Sequence, residues 1–441
     1  MRFSDRVRNF LEGKIFTAIV FLMAVLFVVF EVEAYGAIAL MYVSAVMFIF
    51  LDNLIVPIYP LLLASAFVIK CYDSASVFIP LWYLGIFPVC SIVYYLVKNR
   101  RRFTLGKSFY GILAVSIAVT LGGLFEIRKE EYFGGASLYY VLGLGFGMLL
   151  LYLVFRAQSV ENDRYSIYEK YTDILCIVGA FASFVVFEYY MRNFEWKLLE
   201  FQWSNNIATI LMFVMPVSLY KAQKNKFYLA LFLLNYFAIF LSKSRGGIAM
   251  GTLELLICIF VCVVTLENKK LKRVLLFFGG IAVTVGIGFA GYKLFLSDGI
   301  KYVTHDEARI KLIARSFEDF AKNPLFGVGV GNVDNSDLYN GKVGTMCWYH
   351  MMIPQIVGSF GAVGIYCYGK QIVERFAMAF KNATPYSVAL GLSYLGMFLM
   401  SQVNPGEFCP LPYELLVVIN FIMIEKYNEK KVAQLPFLYF F

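Results

Sequence analysis

Two arginines and a histidine carry the chemistry that this chain could perform. Arg245 lies in Ser242-Lys-Ser-Arg245-Gly-Gly247, a short break between two apolar runs. A guanidinium is always charged and offers a planar fork of donors that matches phosphate oxygens. The two glycines after it allow a ligand or another chain to approach the backbone closely. An ordinary loop cation at a membrane interface has the same appearance. Arg309 belongs to a segment in which Thr304 and Glu307 read as a capping box and Asn323-Pro324 marks a helix end. At 100° per residue from Arg309, Ile310, Ile313, Ala314, Phe317, Phe320 and Ala321 fall between about 20° and 140°. Lys311, Arg315, Glu318 and Lys322 fall between about 180° and 240°. Such an amphipathic helix lies on a membrane or on a helix bundle. Arg309, beside the apolar stripe, is turned toward the membrane surface; the plainer reading is a cation snorkelling at the edge of an interfacial helix. His350 is one of only two histidines and follows Trp348-Tyr349. Its imidazole can take or give a proton near neutral pH, or it belongs to a belt of interfacial aromatics. His305 has the weaker case, as part of a solvated first turn.

The elements that must position these residues are apolar. The chain is 60% hydrophobic, 18% aromatic and only 16% charged, with a mean hydropathy of +0.69. A soluble domain of this length carries far more charge on its surface. A spanning helix needs about 20 mostly apolar residues, and runs that reach or approach this lie at 15–30, 34–51, 54–70, 76–97, 108–126, 133–155, 172–191, 207–220, 227–241, 246–266, 274–296, 351–369, 385–402 and 411–424. The expectation is an all-α integral membrane protein with about 14 transmembrane helices, or 12 to 14 because several runs are short. With both termini in the cytoplasm, the segments 1–14, 98–107, 156–171, 221–226, 267–273, 370–384 and 425 onward are cytoplasmic and hold 25 of the 39 Lys and Arg residues. The net charge of +9 is therefore a topology signal, and no basic patch calls for a nucleic-acid partner. The first run is followed by Glu31-Val-Glu33, which reads as a retained helix and not a cleaved signal.

Four regions follow: N-terminal helices over 1–200, helices carrying the Ser-Lys-Ser-Arg-Gly loop over 201–296, a long outer loop over 297–350 with the amphipathic helix, and C-terminal helices over 351–441. Among the eight cysteines there is no CxxC pair and no metal spacing, and a bridge between Cys347 and Cys409 is one option left open. Gly327, Gly329 and Gly331 form a G-x-G-x-G run without a preceding strand, which reads as a close-packed turn and not a nucleotide loop. On the outer side, a nucleotide-sugar donor is excluded as well.

Taken together these segments resemble the O-antigen polymerase and ligase family of bacterial membrane glycosyltransferases. Trp203-Ser-Asn-Asn-Ile-Ala, on a helix ending in Met215-Pro216, is similar to the family's Asn-x-x-Ala…Leu-Pro helix. Ser242-Lys-Ser-Arg245-Gly-Gly is similar to its Thr/Ser-x-Ser-Arg-Gly. Arg309 followed by Asn323-Pro-Leu-Phe-Gly-Val-Gly-Val-Gly-Asn332 is similar to its Arg…Pro-Leu-x-Gly-x-Gly-x-Gly-Asn. His350, followed by Gly358-Ser-Phe-Gly-Ala-Val-Gly364, is similar to its His-Asn…Glu-x-Gly-x-x-Gly, with Met351 in place of the asparagine and Ser359-Phe360 where an acidic residue often stands. The match covers roughly 200–370.

The resemblance implies a metal-independent, inverting transfer of a glycan from a polyprenyl diphosphate carrier to an acceptor hydroxyl, at the outer face of a bacterial cytoplasmic membrane. It implies catalytic roles for Arg245, Arg309 and His350, and substrate contacts from Arg245, Arg309, Gly329, Asn332 and Asn205. It requires no cofactor and no metal. The partners it implies are the polyprenyl-diphosphate-linked oligosaccharide and membrane lipids, with a flippase and a chain-length regulator as further candidates. Polymerisation of repeat units is the preferred reading, and ligation of the glycan to a lipid core or protein is the alternative. A flippase or exporter of lipid-linked sugars is the alternative from another class; the long loop and the lack of an internal repeat count against it.

Overall fold

Backbone amides and carbonyls in lipid find no water, so an apolar run that enters a membrane must satisfy its own hydrogen bonds as a helix. A computed structural model of the chain describes residues 3–70, 79–125, 135–161, 164–193, 201–265, 268–277, 279–280, 307–330, 349–381, 383–404 and 406–434, and every regular element among them is a helix. Most of the run expected at 274–296, most of the long loop at 297–350, and His305, Gly331, Asn332 and Cys347 lie outside the described residues.

The other apolar runs all fall on helices. Helix α1 (Phe3–Leu11) precedes α2 (Lys14–Val29), bent 56° from it. They are followed by α3 (Glu33–Phe50), α4 (Ile58–Lys70), a 3-10 turn leading into α5 (Ile86–Lys98), and α6 (Ser108–Leu121). Next come α7 (Gly135–Leu142) and α8 (Met148–Gln158), joined through a glycine-rich π turn, then α9 (Ile167–Asn193). The remaining helices are α10 (Phe201–Ala222), α11 (Phe227–Leu241), α12 (Arg245–Val264), α13 (Glu307–Lys322), α14 (Met352–Phe380), α15 (Pro385–Ser401) and α16 (Leu415–Gln434). Among the described residues five helices are long and apolar enough to cross a membrane, or six if the bent pair counts as one span. Large apolar side chains such as Val89, Phe240, Phe260 and Tyr366 stand exposed on the outside of the bundle, which a lipid surround accommodates and water does not. The protein is a multi-pass membrane protein.

The two ends of the bundle differ in chemistry. At one end, the basic end, charges from distant segments meet in pairs. Asp52 lies 2.5 Å from Arg8 and 3.7 Å from Lys98. Arg156 pairs with Glu425 at 2.8 Å and Glu429 at 2.7 Å, and Lys221 with Glu169 at 2.9 Å and Asp173 at 2.7 Å. Segments 1–14, 98–107, 156–171, 221–226 and 425 onward are thereby gathered together. The opposite end, the motif end, holds the residues singled out by the motifs.

One sequence expectation is corrected here. The sequence places Arg375 in a cytoplasmic segment at 370–384, beyond the apolar run 351–369. Instead α14 continues to Phe380, and Arg375 is buried between Glu407 (3.3 Å) and Glu414 (2.5 Å), each itself buried. A count of single charges misses this, because opposite charges that satisfy one another can enter an interior that would reject either alone.

Candidate functional site

The motif end is built in two halves. In the first, α10 meets the start of α12. Ser244 caps α12: its hydroxyl accepts from the Gly247 amide at 2.9 Å and donates to Oδ1 of buried Asn205. Capping of this kind satisfies an amide with no partner inside the helix. The glycines explain the close fit. A Cβ on Gly247 would stand 2.7 Å from Ala208 Cβ, and one on Gly246 2.7 Å from Val403 Cγ2. Lys243 takes a left-handed conformation (φ 53°) with its ammonium 5.9 Å over the Tyr190 ring. Arg245 is the first residue of α12. Its side chain is exposed and makes no ion pair or hydrogen bond among the described residues.

A cation there is electrostatically unusual. The N-terminus of a helix carries partial positive charge and favours acidic neighbours, yet the first turn of α12 has no acidic residue. Arg245 adds positive charge to positive, which suits an anion arriving from outside.

The second half joins α13, the Asn323–Val330 segment, α6 and α14 through the main chain. The amides of Val328 and Gly329 donate to the carbonyls of Gly358 and Ser359, both at 2.9 Å. The amides of Ala362 and Val363 donate to Pro324 and Leu325 at 2.8 and 3.1 Å. Helix α14 breaks between these two pairs at Gly361 (φ 60°, ψ −153°). Its freed groups are taken over by the glycine-rich segment, as non-helical backbone inside a membrane protein requires. Gly361 and Gly327 (φ 62°) face each other: a Cβ on Gly361 would stand 2.7 Å from the Gly327 amide nitrogen. In the turn after α6, the Gly123 amide donates to Phe326 O at 3.1 Å, and Asn323 Nδ2 donates to Leu124 O at 2.7 Å. Gly327 and Gly329 thus lie in a close-packed turn. The Gly329 amide is committed to Ser359, so any contribution it makes to a ligand comes through space and shape.

Helix α13 presents three faces where the sequence suggested two. Ile310, Ile313 and Phe317 are exposed, and so is the charged row Lys311, Glu318 and Lys322. A third strip packs against the protein: Leu312, Ser316, Asp319 and Asn323 are buried, between about 280° and 340° on the same wheel. Arg309 and Arg315 flank this strip, each half-buried. Arg309 is therefore shared between the protein and the apolar stripe and is not turned wholly outward.

His350 follows a tightly held tyrosine. Tyr349 is fully buried; its amide donates to Gln355 Oε1 at 3.0 Å and its phenol donates to Asp319 Oδ2 at 2.6 Å. Burial, reinforced by the Asp319 charge, raises the phenol far above its ordinary pKa, with Arg315 acting against the shift. The phenol therefore stays a donor. His350 itself is half-buried and left-handed (φ 53°). Such backbone in a residue other than glycine is uncommon, with histidine among the more tolerant types, and it gathers at sites where surrounding structure enforces it.

The end of α15 links the halves. Gln402 Nε2 reaches Met352 Sδ at 3.3 Å, while Val403 packs against Gly246. Arg245 and His350 thus flank the same turn. Arg309 lies ten residues before Asp319 on α13, about 15 Å along the axis. Arg315, which the sequence places on the far face, is half-buried and acts on the Tyr349 phenol. Asp319, Gln355 and Ser359 were missed too. For Asp319 the one sequence signal is the spacing of polar residues at 316, 319 and 323, on a face outside both the apolar stripe and the charged row. Asn205 is buried and holds the Ser244 cap, so it acts on Arg245 by position. Cys409 donates its thiol to Leu411 O at 3.0 Å.

A bundle of apolar helices, with an exposed cation at a helix N-terminus and a histidine-bearing segment joined by one turn, defines a multi-pass membrane protein. Residues 229–369 match the family model described as O-antigen ligase. Over that stretch, about a third of its length, the chain is similar to that family. The match takes in the Arg245, Arg309–Val330 and His350–Gly364 segments and leaves the α10 motif outside. No curated protein matches the chain.

Proposed function

We propose that the protein polymerises polyprenyl-diphosphate-linked oligosaccharide repeat units into a surface polysaccharide, with its motif end at the outer face of the cytoplasmic membrane. In this reading the chain crosses the membrane about 14 times and keeps its basic end inside, which fits the Lys and Arg excess of the segments gathered there. The acceptor hydroxyl oxygen attacks the anomeric carbon of the donor sugar from the face opposite the diphosphate, and the anomeric configuration inverts. The bond to the diphosphate oxygen breaks with its electron pair, and polyprenyl diphosphate leaves. The hydroxyl proton passes to the neutral imidazole of His350 and from there to solvent. Arg245 and Arg309 meet the charge growing on the leaving diphosphate, the task of preorganised cations in such transfers. Asn205 sets Arg245 through the Ser244 cap, and Gly329 and Asn332 shape the donor side. No divalent metal takes part.

The observation that carries this reading is the exposed guanidinium of Arg245 at the N-terminus of α12, without an acidic partner among the described residues. The test is in vitro polymerisation of a purified lipid-linked repeat unit. Arg245→Lys and Arg309→Lys keep charge but lose the planar fork, so chain growth falls in both, while chelators leave the wild type unchanged. Wild-type growth by both variants would remove the diphosphate role.

Ligation is the second reading, favoured by the description of the matching family. Product analysis separates the two. A ladder still attached to the polyprenyl carrier supports polymerisation, and glycan on a lipid core or protein supports ligation.

A further inference from the structure

We propose that Asp319, Tyr349 and Gln355 form a clamp whose task is to set the imidazole of His350, making all three positioning residues for the transfer. The inference rests on the reading of His350 as the base.

The clamp holds Tyr349 at two points. Gln355 is fully buried; its Oε1 accepts from the Tyr349 amide, and its Nε2 donates to Ser359 Oγ at 2.8 Å. At the other end of the residue the phenol donates to Asp319, whose second oxygen lies 2.6 Å from the Lys322 ammonium. The ring itself fits against Gly358, where a Cβ would stand 2.4 Å from the phenol oxygen. A residue fixed at its amide and at its side-chain tip, with no room to slide, has one position.

The next residue inherits that constraint. His350 occupies a left-handed conformation, which is unfavourable for a residue with a Cβ and persists only when its neighbours enforce it. On its far side Met352 begins α14, buried and held by Gln402. The imidazole is therefore carried on a short link between two anchored points. Asp319 is a carboxylate on α13, the helix that also carries Arg309 and Arg315. It couples the placement of the base on one element to the placement of the cations on another. A general base needs this, because it must lie within hydrogen-bond reach of the proton that it takes, and a misplacement of about 1 Å can cost about 100-fold in rate.

Tyr349→Phe removes only the phenol oxygen and keeps the ring. With the lipid-linked repeat unit as substrate, it should lower kcat about 10- to 100-fold and leave KM nearly unchanged. Asp319→Ala should lower kcat similarly, whereas Asp319→Asn, which still offers an acceptor oxygen, should keep most of it. In a His350→Ala background, Tyr349→Phe should have no further effect. An equal loss in both backgrounds, or none in the wild type, overturns the clamp, since either means that Tyr349 does not act through His350. A second readout is independent of turnover. Because the chain has two histidines, a His305→Gln variant with isotope-labelled histidine reports on His350 alone by NMR. Tyr349→Phe should shift that signal and split or broaden it; an unchanged signal overturns the proposal. If the wild type polymerises nothing, the proposed function fails, and the NMR comparison still decides the clamp.

Discussion

The two ends of the bundle use the same residue types for opposite purposes. At the basic end arginine and lysine are neutralised where they stand. Arg156 is buried between Glu425 and Glu429, and Lys221 between Glu169 and Asp173. At the motif end Arg245 is exposed at the head of a helix that would be steadier with an acid there. The basic end ties its segments with side-chain charge, and the motif end ties α6, α13 and α14 with main-chain hydrogen bonds across glycines. Charge spent on structure is unavailable to a substrate. At the motif end Arg245 stays exposed, with no ion pair among the described residues.

That contrast can be broken by substitution, most severely at His350. As a general base its loss should cost about 10²–10⁴ in rate, with His350→Gln as impaired as His350→Ala because neither accepts a proton at neutral pH. Donor binding, measured separately, should persist in both. Near-normal turnover by His350→Gln would reduce the residue to an orienting group.

At the basic end the expected loss is of stability. Removing Arg156 leaves Glu425 buried and unpaired, a change that costs about 3–5 kcal/mol. Arg156→Met should lower the thermal midpoint in detergent, while the fraction that remains folded transfers at the wild-type rate. Unaltered stability would mean that the pair is not structural.

Gly361→Ala sharpens the comparison from the motif end. The positive-φ, extended-ψ backbone is essentially restricted to glycine and alone costs about 1–3 kcal/mol for another residue, and the added carbon meets the Gly327 amide. Both stability and transfer should fall, and rates should fall further than the folded fraction explains. Gly358→Ala should resemble Tyr349→Phe, because its methyl displaces the same phenol. The smallest effect is expected from Lys224→Ala. Its ion pair with Glu169 is largely exposed, and such pairs contribute at most about 1 kcal/mol.

Much of the bundle was legible in the sequence because a membrane helix announces itself locally, through a continuous apolar run. The runs at 34–51, 227–241 and 385–402 needed no partner to be read. The glycines at 327 and 329 were legible as a tight turn for a similar reason. What each turn packs against was not, since the pairing of Val328 with Gly358 joins residues that no local rule connects. Arg375 deceived a charge count because its partners are 32 and 39 residues away. The apolar stripe of α13 was read correctly, but its buried face carries Ser316, Asp319 and Asn323, polar residues that a hydropathy wheel assigns to solvent. The left-handed backbone of His350 leaves no mark in composition. It arises from Tyr349 being held at both ends.

The most direct test of the central claim, that the exposed charge of Arg245 drives the transfer, compares Arg245→Lys with Arg156→Lys in one purified system. Thermal midpoint and in vitro chain growth on a lipid-linked repeat unit are measured for each. Arg245→Lys should keep the wild-type midpoint and lose about 10²–10³ in rate, whereas Arg156→Lys should lower the midpoint and keep the rate of the folded protein. Wild-type chain growth by Arg245→Lys, at full stability, would contradict the account.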